Sequence, residues 1–239
     1  MIWLTINGGG DDTLGRLAAS MQKVEFEHWR IMVQGRSGAS LWTLGWLKRT
    51  FGDRVTVSRY PYNLGVVQGW NENLAWLKEN FPGRDFINCD DDIEIVDSRA
   101  GEYLLEGLAD GVSCANREAF FMGARLGTNA GVTEVEDHAT AFVAYRAIAA
   151  KHWHDWRRIQ YAHDTEWHSR IKRHGRLLVD WRDTIRHYNQ TGTMMNHDAV
   201  IWNRIVERDR ALGPLPWLMG SPPMIWRDLP GYVIEEGFE

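Results

Sequence analysis

Within the first ninety residues, short apolar runs alternate with helical stripes, and that alternation leaves few folds open. Residues 1–6 form an apolar run that ends at Asn7-Gly8-Gly9-Gly10. Asp11, Asp12 and Thr13 then precede Leu14, Leu17, Ala18 and Met21 at helical spacing. A second run, residues 29–33, stops at the turn cluster 35–40, and residues 41–47 read as another helix. Val55 and Val57 alternate in a third strand, residues 61–65 turn, and Trp70, Leu74 and Leu77 stripe a helix ending near Asn80. Phe86 and Ile87 open a fourth strand. This order predicts a right-handed β-α-β arrangement with a parallel sheet, whose site lies at the carboxyl ends of the strands.

The pattern weakens after residue 101. Residues 107–131 are glycine-rich and poorly periodic, and a helical pattern is read over 139–156, so a second lobe is expected there. Prolines 214, 216, 222, 223 and 230 punctuate the last stretch, which reads as a wrapping tail. The expected division is 1–100 for a first half, 101–192 for a second half of the same domain, and 193–239 for the tail. No internal repeat is found.

Composition narrows the classes further. With 27 basic and 32 acidic side chains the net charge is −5, so any attraction to a polyanion must be local. Two cysteines, Cys89 and Cys114, make no disulfide framework and lack the repeated spacing of a zinc site. No apolar run approaches the ~20 residues that cross a bilayer, and a cytoplasmic chain is expected.

Three carboxylates, Asp90-Asp91-Asp92, directly follow the apolar strand 86–89. Adjacent acids at a buried strand end repel unless a cation or solvent offsets the charge, and oxygen ligands suit magnesium or manganese. A solvated acidic turn is the alternative. A second constellation, His163-Asp164-Thr165-Glu166-Trp167-His168-Ser169-Arg170, opens a helix. A carboxylate at a helix N-terminus stays ionised, so Asp164 is either a general base or a cap. Glu166 and Arg170, four apart, read as an ion pair. His187 follows an apolar position and is a candidate metal ligand, whereas His152, His154, His163 and His168 lack metalloprotease spacing.

In their order and spacing, these residues resemble the family 2 glycosyltransferases and the wider GT-A nucleotide-sugar transferases, over roughly residues 1–192. Asn63-Leu64-Gly65 and Gly69-Trp70-Asn71 look like the stretch before the family's metal motif, and Asp90, Asp91 and Asp92 stand where it keeps Asp-x-Asp. His163-Asp164-x-Glu166-x-x-x-Arg170 is similar to the family's Glu-Asp-x-Asp-x-x-x-Arg. The resemblance implies an α/β fold of GT-A type, with a mostly parallel central sheet flanked by helices. It implies Mn²⁺ or Mg²⁺ held by Asp90, Asp92 and His187, and Asp164 as the base of an inverting transfer. Donor contacts would come from Thr5, Asn7, Gln34, Arg36, Asn63, Gly65, Asn71 and Asp91, and acceptor contacts from Trp167 and Arg170. The donor would be a nucleotide diphosphate sugar, a UDP-sugar first.

Two departures stand out. The turn after the second strand reads Val33-Gln34-Gly35-Arg36-Ser37-Gly38, where the family has an aspartate-rich turn, and Thr5-Ile6-Asn7-Gly8 replaces its proline and aromatic. The acceptor implied is a saccharide or glycoconjugate. Residues 146–187 carry ten Lys or Arg against five acids, so DNA with a hydroxylated base, or other nucleic acid, is a second acceptor class. A non-catalytic nucleotide-sugar or glycan binding module is the rival class. A dinucleotide-dependent oxidoreductase fits poorly, because the glycine spacing after the first strand is wrong and no acid ends the second.

Overall fold

A computed structural model describes residues 1–35, 38–60, 64–118, 121–125, 131–152, 154, 163–188 and 235–236. The chain begins β1 (Ile2–Asn7), α1 (Asp11–Met21), β2 (His28–Gln34), α2 (Leu41–Phe51), β3 (Val55–Tyr60), α3 (Gly65–Asn80) and β4 (Phe86–Cys89). It continues with β5 (Ile93–Ile95), α4 (Ala100–Gly107), β6 (Gly111–Asn116), β7 (Phe121–Arg125), β8 (Val132–His138) and β9 (Phe142–Tyr145). Next come α5 (His163–Ile171), β10 (Arg176–Asp180), β11 (Ile185–His187) and β12 (Glu235–Glu236).

Ten strands form one sheet in the order β12-β3-β2-β1-β4-β9-β6-β10-β8-β7. The first four run parallel, as the alternation predicts, and β6, β7 and β10 share their direction, while β8, β9 and β12 oppose it. Strand β1 is central because both its faces are covered: Trp3 joins the apolar cluster under α1, α2 and α4, and Ile2 and Leu4 join the cluster under α3 and α5. Helix α3 lies close against the sheet at Gly69. A Cβ there would come within 2.5 Å of Gln34 Nε2 and 2.8 Å of Ile6 Cδ1 and Met32 Cε, so a side chain would require those three side chains to shift.

The helix expected over 139–156 is not formed in its described part. Residues 142–145 are strand β9, and Ala147–Lys151 is a short 3-10 turn. Phe142, Val143, Ala144 and Tyr145 are all fully buried between β4 and β6, and a run apolar on both faces carries no period by which a strand is told from a helix. The weakly periodic stretch after residue 101 continues the same sheet through β6, β9, β8 and β10. Of the tail 193–239, all but residues 235–236, which pair with β3, lies outside the described residues.

Candidate functional site

Strand β4 is buried along its whole length and delivers three aspartates to the carboxyl edge of the parallel strands. There they take different paths. Asp90 keeps to the strand line, its backbone N–H donating to Ala141 O at 2.7 Å. Asp91 turns back to the β1–α1 loop, where its Oδ2 accepts from Asn7 Nδ2 (2.6 Å), Gly9 N (2.9 Å), Thr13 Oγ1 (3.0 Å) and Gly8 N (3.2 Å). A Cβ on Gly9 would sit 2.7 Å from Thr13 Oγ1, so glycine is what allows the loop to close this tightly on the acid.

Asp91, assigned to the donor by resemblance, is therefore a latch between β4 and β1. Removing it strands several donors at once. Asp91→Ala is expected to lower unfolding free energy by about 2–4 kcal/mol, read as a lower urea midpoint at unchanged slope.

Asp92 meets His187 because β5 and β11 pair antiparallel, with His187 opposite Ile93. The Tyr188 N–H donates to Asp92 O at 3.0 Å and closes this small sheet. His187 Nδ1 lies 3.2 Å from Glu118 O. A carbonyl only accepts, so Nδ1 carries the proton and Nε2 is left facing Asp92 Oδ1 at 3.2 Å. Asp90, Asp92 and His187, all half-buried, each offer one ligand atom, and these atoms lie within 4.8 Å of one another.

This donor set fits a divalent cation. Burial, together with the charge of Asp92, pushes the Asp90 carboxyl well above the usual carboxylate range, and Asp91 and Asp164 add to it while His187 opposes it. Burial works against a charged His187, but the hydrogen bond and charge of Asp92 and the charge of Asp90 outweigh it and raise its pKa. Two carboxylates and an imidazole nitrogen turned inward by a backbone carbonyl suit Mn²⁺, and Mg²⁺ less well because of the nitrogen.

Both shifts have the same sign. A raised folded-state pKa makes the ionised acid and the neutral imidazole costly, so these groups lose stability for the metal-free protein as pH rises through their raised values. Mn²⁺ reverses that loss by replacing the protons. The Mn²⁺-induced rise in melting temperature is expected to be larger near pH ~8 than near pH ~5.5, measured by thermal unfolding with and without the ion.

Asp164 stands at the first turn of α5, where its Oδ1 accepts from Thr165 N at 2.9 Å. Its charge adds, after burial, Asp92 and Asp91, to what raises the Asp90 carboxyl.

Other assignments change character. Thr5, Asn7, Gln34 and Asn71 are no more than 2% exposed. Thr5 Oγ1 accepts from Trp29 Nε1 (3.0 Å), and Asn7 Oδ1 accepts from Ala39 N (2.7 Å). Gln34 Oε1 accepts from Leu64 N (2.8 Å), at the entry to α3 just before Gly65 with its positive φ of 76°. Asn71 binds both backbone groups of His154, at 2.8 and 3.1 Å. These side chains build the floor of the site instead of lining it. Arg36 and Asn63 lie outside the described residues.

Trp167 is not an acceptor platform. It is fully buried, donates from Nε1 to His152 O at 2.6 Å, and packs 4.3 Å from His154 and 4.7 Å from Tyr145, centroid to centroid. Arg170 pairs with Glu166, as their spacing predicts.

Part of the basic stretch 146–187 is compensated. Arg146 meets Asp85, Arg176 meets Asp110 and Glu134, Arg182 meets Asp180 and Glu106, and Arg186 meets Glu94. Arg157 and Arg158 lie outside the described residues. Among the described residues, no helix is long and apolar enough to cross a membrane.

A buried polar chain absent from the sequence reading links Asp137, His168 and Tyr145 beneath Asp164. Its members are 31 and 23 residues apart, and the one available signal was His168, one helical turn from Asp164.

No protein-family description matches the sequence, and no curated protein does either. Solved structures do. HddC from Yersinia pseudotuberculosis superposes with a TM-score of 0.55 at 6% identity, over 78% of this chain and 92% of that one. The mannosyltransferase PcManGT from Pyrobaculum calidifontis, solved with GDP-Man and Mn²⁺, superposes with a TM-score of 0.52 at 8% identity, over 75% of this chain. The match spans 56% of that enzyme's length. At these identities the likeness is one of fold, and it agrees with the topology above: an α/β, GT-A-like architecture with helices on both faces of a mixed, mostly parallel sheet.

Proposed function

We propose that this chain is a metal-dependent glycosyltransferase, moving a sugar from a nucleotide diphosphate sugar to an acceptor hydroxyl with inversion. The observation that carries the reading is the convergence of Asp90, Asp92 and His187, drawn from β4 and β11, within reach of the charge of Asp164. The fold shared with a mannosyltransferase that holds GDP-Man and Mn²⁺ supports it.

A cation bound there supplies charge stabilisation for the departing diphosphate. Asp90, Asp92 and His187 Nε2 would hold it, with His187 oriented by its Nδ1 contact to Glu118 O. Asp164 stands in the first turn of α5. With Oδ1 held by Thr165 N, its other oxygen takes the acceptor's proton as that hydroxyl oxygen forms a bond to the anomeric carbon. The bond from that carbon to the diphosphate breaks on the opposite face, and the electron pair leaves with the diphosphate. The compensated arginines favour a saccharide or glycoconjugate hydroxyl over a polyanionic acceptor.

The test is a panel of nucleotide sugars with and without Mn²⁺, read by thermal shift and by release of nucleoside diphosphate. One donor is expected to stabilise the protein and to turn over slowly to water with Mn²⁺ present. Binding without turnover, with every acceptor class supplied, would instead mark a binding module.

A further inference from the structure

We propose that Asp137 and His168 clamp the amino end of α5, and so act as positioning residues that hold Asp164 toward Asp90. The inference rests on the role assigned above to Asp164. The charge of Asp164 contributes to raising the Asp90 carboxyl, and hydrogen bonds from β8 hold the helix that carries Asp164.

Asp137, on β8, accepts from His168 Nδ1 at 2.6 Å and also from the Thr165 side chain. Thr165 and His168 are three apart on α5, so one carboxylate grips two points of one helix face. Thr165 is the pivot, because its N–H also holds Asp164 Oδ1 at 2.9 Å. Thus the orientation of the proposed base is tied through Thr165 to Asp137.

The other end of the clamp is anchored in the sheet. Asp137 only accepts, so His168 Nδ1 carries a proton, and Nε2 lies in hydrogen-bond contact with the Tyr145 hydroxyl at 3.0 Å. Tyr145 lies on β9, stacked 5.4 Å from Phe86 of β4, the strand that delivers Asp90. Burial, with the charges of Asp164, Asp137 and Asp90, keeps that hydroxyl protonated. The His138 ring packs edge-on against His168 at 4.3 Å, itself fixed by Ser113 Oγ at 2.7 Å and Ala139 O at 2.8 Å. The base and the metal cluster are in this way referenced to the same two neighbouring strands.

The clamp is tested with Asp137→Ala, His168→Gln and His168→Asn. An asparagine amide nitrogen takes the place of Nδ1 and keeps the bond to Asp137, whereas a glutamine amide reaches only the Nε2 position. Asp137→Ala and His168→Gln are expected to lower kcat about 10–100-fold, with donor KM and Mn²⁺ affinity unchanged, and His168→Asn to restore most of kcat. Wild-type kcat in Asp137→Ala, or equal loss in both His168 variants, overturns the clamp. So does a loss of kcat accompanied by loss of Mn²⁺ binding, which marks a role in the whole fold. If Asp137→Ala does not fold, the His168 pair decides alone.

Hydrogen exchange of the α5 amides gives an answer independent of turnover. Faster exchange there in His168→Gln than in His168→Asn supports the clamp, and equal exchange overturns it. If the wild-type protein turns over no nucleotide sugar, the function proposed above fails while this exchange measurement still decides the clamp.

Discussion

Asp164→Asn is expected to lower kcat for transfer by about 10³-fold while Mn²⁺ and donor still bind within a few-fold of wild type. An amide keeps the shape of the side chain and its bond from Thr165 N, but it cannot take a proton from the acceptor hydroxyl. Because Asp164 also raises the Asp90 carboxyl, the variant should bind protons less readily at the metal cluster than wild type does. Single-turnover kinetics with a calorimetric measurement of donor affinity separate the two effects. Turnover near the wild-type rate would remove Asp164 from the mechanism and leave the metal cluster standing.

Asp90→Asn should act in opposite directions on stability and on activity. In the metal-free protein the ionised Asp90 is held against burial and against Asp92, so its folded-state pKa lies above its unfolded value. That charge therefore costs stability at every pH above the raised value, and nothing below about pH 3.8, where the acid is protonated in both states. Asparagine removes the cost. The metal-free variant is expected to melt a few degrees higher than wild type near neutral pH, corresponding to about 1 kcal/mol, with the gain vanishing in acid. Transfer and the Mn²⁺-induced stabilisation are both expected to be lost. Asp91→Ala, one residue along, is expected to do the reverse to stability, so three consecutive identical residues separate into a latch and two ligands. Equal destabilisation by both substitutions would contradict that division.

The elements readable from sequence were those with a period. Helix α1 shows Leu14, Leu17, Ala18 and Met21 on its inner face, and β1 to β4 are bounded by glycine and turn residues, so the parallel half of the sheet followed from local pattern. The half after residue 101 did not. Its strand β9 is four buried residues without alternation, and its partners β4 and β6 lie far away in sequence.

The site divides along the same line. Asp90 and Asp92 were legible as charges at the end of an apolar strand. His187 was legible only through its order in a family pattern, because the two three-residue strands that bring it to Asp92 have no sequence signature of their own. Four of the donor residues inferred by resemblance, Thr5, Asn7, Gln34 and Asn71, are buried amides and hydroxyls whose hydrogen bonds shape the loops, and exposure is what pattern reading supplies least well. Trp167 is buried: an aromatic beside a proposed base reads equally as a stacking surface or as core, and burial is not visible in sequence.

The most direct test is calorimetric titration of nucleoside diphosphates into the protein with and without Mn²⁺, for wild type and for Asp92→Ala. The account predicts binding of at least one nucleoside diphosphate by wild type with Mn²⁺, weakened at least ~10-fold when the ion is withheld or Asp92 is replaced. Equal affinity in all these conditions, or no Mn²⁺ bound by wild type at neutral pH, would contradict it.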